Sequence, residues 1–274
     1  MIDSASNAPG WYGKLPSTGD FASRRLPHEL IEPWDHWLAE EIGELRQSRP
    51  DTWLAAYLDS PTWRFVLGAG VLGAAQALPL AGVLMPSVDR VGRYFPLTIM
   101  APLSGLPHDT QQADRLLAWL HALDDLAADA LQDDWPIDEL ESALARLSTP
   151  EWDRIDPAFG APLNRLAQGE ARLVELPLPV ARADMAASLG AALWSWGLQC
   201  APQGVLAKAL APGLSWWWCD PPGDDRPRRS LLARGLPSGD DFAQLLGSDD
   251  HTPMAFAGDL GDTAPSDHPA PDAR

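Results

Sequence analysis

The alternation of apolar and polar positions divides the chain into recognisable pieces. Leu30, Ile31, Trp34, Trp37, Leu38, Ile42 and Leu45 recur at three- and four-residue spacing within residues 27–48, while Glu29, Glu32, Asp35, Glu40 and Glu44 mostly take the other side. That period predicts an amphipathic helix entered at Pro27, whose fixed φ suits a first turn. A tryptophan stripe at this spacing reads as core. Residues 109–133 predict a second helix with Leu116, Leu117, Leu120, Leu123, Leu126 and Leu131 inward, and a shorter one follows near 137–147 behind Pro136. Trp63–Leu67, Gly82–Met85 and Phe95–Met100 are short, β-branched or aromatic, and bounded by Gly and Pro, which predicts strands. Gly10–Leu15 predicts another, stopped by Pro16-Ser17-Thr18-Gly19. Leu214–Cys219, carrying Trp216-Trp217-Trp218, reads as a strand buried on both faces or lying at a sheet centre. Trp53–Leu58 and residues 183–199 and 239–247 read as further helical pieces, residues 150–180 as a proline-broken connection, and Asp220–Pro227 as a surface loop.

These elements assemble into an α/β fold: a layered sandwich of helices around a central mixed sheet containing antiparallel pairs, in a single domain. Strands near 63–67, 82–86, 95–101 and 214–219 are expected to share the sheet, with the 27–48 and 109–133 helices covering it. The connection from 67 to 82 is too short for a helical crossover, so antiparallel pairing is required. Residues 1–9 are small and polar and read as a flexible arm, and residues 10–247 as the α/β domain. Residues 248–274 hold Asp and Pro with few large apolar side chains, so they read as a disordered acidic tail.

Composition sharpens this picture. The 274-residue chain is 46% hydrophobic and 21% charged, an ordinary globular balance. Its net charge of −18 argues against nucleic-acid binding, which needs a basic footprint. Residues 105–141 and 248–274 hold −14 of that charge. The first segment reads as a solvated helix face, with an acidic surface for a basic partner as the sharper alternative. No apolar run reaches the ~18 residues of a membrane span, and Met1-Ile2-Asp3-Ser4 lacks a secretory leader's basic start, so a cytoplasmic protein without membrane insertion is expected. Cys200 and Cys219 form neither a CxxC pair nor a disulfide framework, and the six histidines show no HExxH, so no metal is expected.

Candidate chemistry is sparse. Gly68-Ala69-Gly70-Val71-Leu72-Gly73 matches GxGxxG after a predicted strand, but Pro79 leaves room for less than two helical turns, so a turn is expected rather than a dinucleotide site. Gly13-Lys14 lacks the preceding glycine and the following hydroxyl residue of a phosphate loop, since Ala8 and Leu15 stand there. No cofactor or small-molecule ligand is expected. Asp20 and Asp89 lie in turn-like segments beside Lys14, Arg90 and Arg93. These five side chains could form a charged network joining two turns, as structure or as a partner-facing site. A hydrolase-like enzyme using Asp20 and Asp89 is the alternative, and it needs one carboxyl with a raised pKa. Cap and turn roles suit both carboxylates better.

Three segments together resemble the TagF family of type VI secretion-associated proteins. Gly10-Trp11-Tyr12-Gly13-Lys14-Leu15-Pro16-Ser17-Thr18-Gly19-Asp20-Phe21 is similar to the family's opening G-K-x-P-x-x-G-D-F, and Trp34-Asp35-His36-Trp37-Leu38 follows in the first helix. Gly82 to Leu97, through Pro86, Ser87, Asp89, Gly92, Arg93, Phe95 and Pro96, is similar to its P-S-x-D-x-x-G-R-x-[FY]-P-L block. The match is best over residues 10–103. The resemblance implies an α/β sandwich and a cytoplasmic, non-enzymatic, post-translational negative regulator of bacterial type VI secretion. It implies action on the forkhead-associated scaffold protein of that system, with a structural accessory component of the apparatus as a further alternative. Gly13, Gly19 and Gly92 suit turns, and Pro16, Pro86 and Pro96 fix φ at strand ends.

Overall fold

Among the described residues seven strands form one sheet, and every pair in it is antiparallel, with the spatial order β2-β1-β5-β4-β3-β6-β7. The computed structural model describes residues 7–105, 107, 110–151, 213–219 and 229–246. In chain order these hold β1 (Gly10–Gly13), β2 (Ala22–Arg24), α1 (His28–Ser48), α2 (Trp53–Leu58), β3 (Trp63–Leu67), β4 (Leu80–Met85), β5 (Leu97–Pro102), α3 (Thr110–Gln132), α4 (Ile137–Leu144), β6 (Leu214–Cys219), β7 (Arg229–Arg234) and α5 (Asp240–Leu245). The expected 183–199 helix, Asp220–Pro227 loop and 248–274 tail, with Cys200 and nearly all of the 150–180 connection, lie outside the described residues.

The sheet has a buried core on each face, and side-chain alternation along the strands sorts residues between them. Trp63, Phe65 and Leu67 of β3 enter one core with Leu80 and Leu84 of β4, Met100 of β5, Tyr12 of β1 and Trp217 of β6. Trp34, Trp37, Leu38, Ile42 and Leu45 of α1 close that core, with Tyr57 of α2 and Phe242 of α5. Val66, Ala81, Val83, Leu97, Ile99 and Trp11 point the other way, against Leu116, Trp119, Leu120, Leu123 and Ala127 of α3 and Leu140 and Leu144 of α4. Helices therefore cover both faces, as the pattern required.

Several expectations need correction at the level of single residues. Leu117 does not face the core; it is 38% exposed, and Trp119 and Ala127 occupy the stripe instead. Positions 116, 119, 120, 123, 126, 127 and 130 follow the helical period, which leaves Leu117 about 100° away. The tryptophan strand is interior, paired with β3 on one side and β7 on the other, though it stands next to the edge rather than in the middle of the seven. Trp217 is buried, while Trp216 and Trp218 are half-buried on the opposite face, their rings 4.8 Å apart. β5 begins at Leu97 rather than Phe95, since Phe95 lies just outside the Val88–Tyr94 bridge, with its amide bonded to the Ser87 carbonyl at 3.2 Å. At the start of the chain Asn7 is tied down: its carbonyl accepts bonds from the Thr149 amide and hydroxyl, both at 3.0 Å. The GxGxxG segment is a compact turn, as expected, with the Gln76 side chain bonded to the Leu72 amide and to the Gly68 carbonyl.

Candidate functional site

Between β4 and β5 the chain must turn within Pro86–Pro96, and one carboxylate organises that turn. Asp89 Oδ1 accepts the amides of Val91 at 3.0 Å and Arg93 at 2.9 Å. The Asp89 amide bonds the Arg93 carbonyl, and the Gly92 amide bonds the Asp89 carbonyl. Gly92 takes φ 78°, the left-handed conformation that a side chain would strain. This is the turn chemistry expected of Asp, completed by a glycine where φ is positive.

The second oxygen of the same carboxylate holds two cations. Lys14 Nζ lies 2.8 Å and Arg93 Nε 2.7 Å from Asp89 Oδ2. Lys14 is only 3% exposed and also sits over the Phe21 ring, 4.5 Å from its centroid. Burial by itself would raise the Asp89 pKa, but the bonds from Lys14, Arg93 and the Val91 amide outweigh it and hold the carboxyl well below the usual carboxylate range. Asp89 therefore stays ionised in the folded protein.

Neighbouring segments fix the two turns against each other. Ser87 Oγ donates to the Lys14 carbonyl at 2.8 Å, and the Arg93 guanidinium Nη2 donates to the Gly19 carbonyl. From α2, the Tyr57 hydroxyl donates to the Ser87 carbonyl at 2.9 Å and accepts from the Ser87 amide at 3.0 Å. Gly13, at φ 136°, lies so close to Pro96 that an added Cβ would fall 2.1 Å from the Pro96 carbonyl oxygen. Phe21 packs edge-on against Phe95 at 4.8 Å between centroids and stacks on Tyr12 at 5.9 Å. The Tyr12 hydroxyl donates to Asp35 of α1, and Trp34 Nε1 donates to Thr98 Oγ1 at 2.9 Å. The segments around residues 10–21, 34–38 and 82–97 thus meet in space. Pro16 and Pro86 are half-buried at the edges of this junction, and Pro96 is buried within it.

The structure assembles Lys14, Asp89 and Arg93 into one network and leaves Asp20 and Arg90 out of it. Asp20 is exposed, and its Oδ1 accepts the neighbouring Phe21 amide at 2.8 Å, a local turn role. Arg90 is exposed beside Val91 and has no ion pair among the described residues. Sequence reasoning missed Tyr57 and the Tyr12–Asp35 bond. A tyrosine on a six-residue helix carries no sequence signal for a partner thirty positions away.

The fold and this junction define an α/β protein whose turns are locked by a buried ionic network. The pattern of the TagF N-terminal domain, described as type VI secretion system-associated, matches residues 10–147. The match runs past the best-matching 10–103 segment to include α3 and α4. The crystal structure of PA0076 from Pseudomonas aeruginosa PAO1 is similar at a TM-score of 0.64 and 31% identity, over 92% of this chain and 99% of that one. The chain therefore belongs to the TagF family of type VI secretion-associated proteins. No curated protein matches the sequence. Among the described residues no helix is long and apolar enough to cross a membrane.

Proposed function

We propose that this chain is a cytoplasmic, non-enzymatic repressor of type VI secretion that acts after translation by binding the system's forkhead-associated scaffold protein. Family membership carries the reading. The state of the junction supports binding over hydrolysis: Asp89 has both oxygens occupied and a lowered pKa, the opposite of a general acid, and Asp20 caps its own turn. A rigid, ion-paired junction suits a surface that must hold one shape for a partner. Deleting the gene should raise secretion, and the purified chain should capture the scaffold. Loss of secretion on deletion would instead mark a required structural component, and failure to capture the scaffold would overturn the binding reading.

A further inference from the structure

The turn that Asp89 organises ends in a tip where the side chains of Arg90 and Val91 serve no interior role. Arg90, Val91, Gly92 and Arg93 are all exposed, and Val91 is 69% accessible. Turn tips usually carry small polar residues that bond their own backbone, yet here that bonding is done from below by Asp89. Val91 and Arg90 are therefore released from any duty to the turn. A single exposed valine means little by itself. Its setting means more, because the tip is rigid and the flanking groups are cations.

Arg93 is the informative one. Its Nε is committed to Asp89 and its Nη2 to the Gly19 carbonyl, while half of the side chain stays exposed. Among the described contacts Nη1 has none, so its donors remain for a ligand in an orientation the other two bonds fix. A guanidinium held in this way loses little rotamer freedom when it receives a planar two-oxygen anion. Through Gly19 the tip is joined to Phe21, which is 43% exposed and backed by Phe95 and Tyr12. The ionic network holds two cations on one carboxylate, and Arg90 adds a third positive charge, in a chain whose net charge is −18. With the exposed Asp20 counted beside Asp89, three cations stand against two carboxylates, so the local sign is still opposite to that of the molecule, which favours an acidic partner.

Resting on the scaffold-binding reading above, we propose that this tip is the docking surface for an acidic segment of the partner. A side-chain carboxylate is received by Arg93 Nη1, a second acidic group faces Arg90, and apolar neighbours cover Val91 and Phe21. The partner approaches the tip end of the junction, and Asp89 and Lys14 beneath it set the geometry without touching it.

Titration calorimetry of the full chain against the purified scaffold tests this with Arg90→Glu and Val91→Asp, which alter exposed side chains outside the network. Each should weaken binding by about tenfold or more at unchanged melting temperature, since charge reversal or charge burial at an interface centre acts on affinity. Arg146→Glu, an exposed charge reversal after α4, should bind like the natural chain. If the natural chain binds and both tip variants bind equally well, the docking surface lies elsewhere while the repressor reading survives. If the natural chain does not bind the scaffold, both readings fall. If Val91→Asp changes the sedimentation of the chain alone, the tip is a contact between copies and the proposal is wrong. Binding abolished by phosphatase treatment of the scaffold would make the anion a phosphate and overturn the carboxylate assignment.

Discussion

A lysine that is almost fully buried needs an anion, and an anion between two cations needs at least one of them. Replacing Lys14 with Met would leave Asp89 buried with only Arg93, a half-exposed partner. Breaking a buried pair from one side costs about 3–5 kcal/mol, so Lys14→Met should lower the melting temperature clearly. Asp20→Ala should stay within about 0.5 kcal/mol of the natural chain, because the one described bond of its side chain is local and exposed. Thermal denaturation of the two variants checks both, and equal losses would show that Asp20 belongs to the network after all. Acid should act through Asp89. The unfolded chain takes up a proton at this residue in the ordinary range near 4, whereas the folded carboxyl, lowered by its partners, does not. The Asp89 contribution is thus fully present above that range and lost as pH falls through it towards the folded value. Urea midpoints measured from pH 7 to 2 should decline below about pH 4 for the natural chain, and part of that decline should be missing in Asp89→Asn.

At the scale of elements, burial inside a helix decides cost more than residue type does. Leu120 is fully buried in α3 and Leu117 is 38% exposed, although both are leucines in one run. Leu120→Ala should destabilise by about 2–5 kcal/mol, and Leu117→Ala by well under about 1 kcal/mol, in chemical denaturation. Both residues looked inward in the sequence because a leucine-rich helix offers more apolar positions than one face can bury. The helices and inner strands were legible for a clear reason: Trp34, Leu38 and Leu45, or Trp63, Phe65 and Leu67, announce their period without help from the rest of the chain. β2 was not legible, since Ala22-Ser23-Arg24 shows no alternation of large apolar residues and owes its state to pairing with Trp11, Tyr12 and Gly13. β7 was likewise passed over, because its register comes from β6, whose Trp216 pairs with position 232 and Trp217 with position 231 along the backbone. The candidate site was legible as far as its charges went. Lys14, Asp89 and Arg93 are turn residues with clear chemistry, whereas the exclusion of Asp20 depends on which way an exposed turn points, and that is set by Phe21 stacking on Tyr12.

For the whole molecule, the two cores share one sheet, so neither can open alone without exposing the back of the other. Leu38→Ala on one face and Leu123→Ala on the other should each shift one common transition, with near- and far-ultraviolet circular dichroism giving the same midpoint. Two separate transitions would mean that the faces melt independently. The charge arrangement of the Asp89 network reaches further than the turn it organises. Lys14, Arg90 and Arg93 against Asp89 and the exposed Asp20 leave a small positive island on a molecule of charge −18. At an ionic strength of about 10 mM, where screening sets in only over roughly 30 Å, an approaching acidic partner responds to the whole negative body before it responds to the island. At physiological salt, with a range of about 8 Å, the distant repulsion fades while the close attraction survives in part. Association measured by stopped flow should therefore quicken as salt is first added and slow again at higher salt, a maximum that a uniformly acidic molecule meeting an acidic partner would not produce.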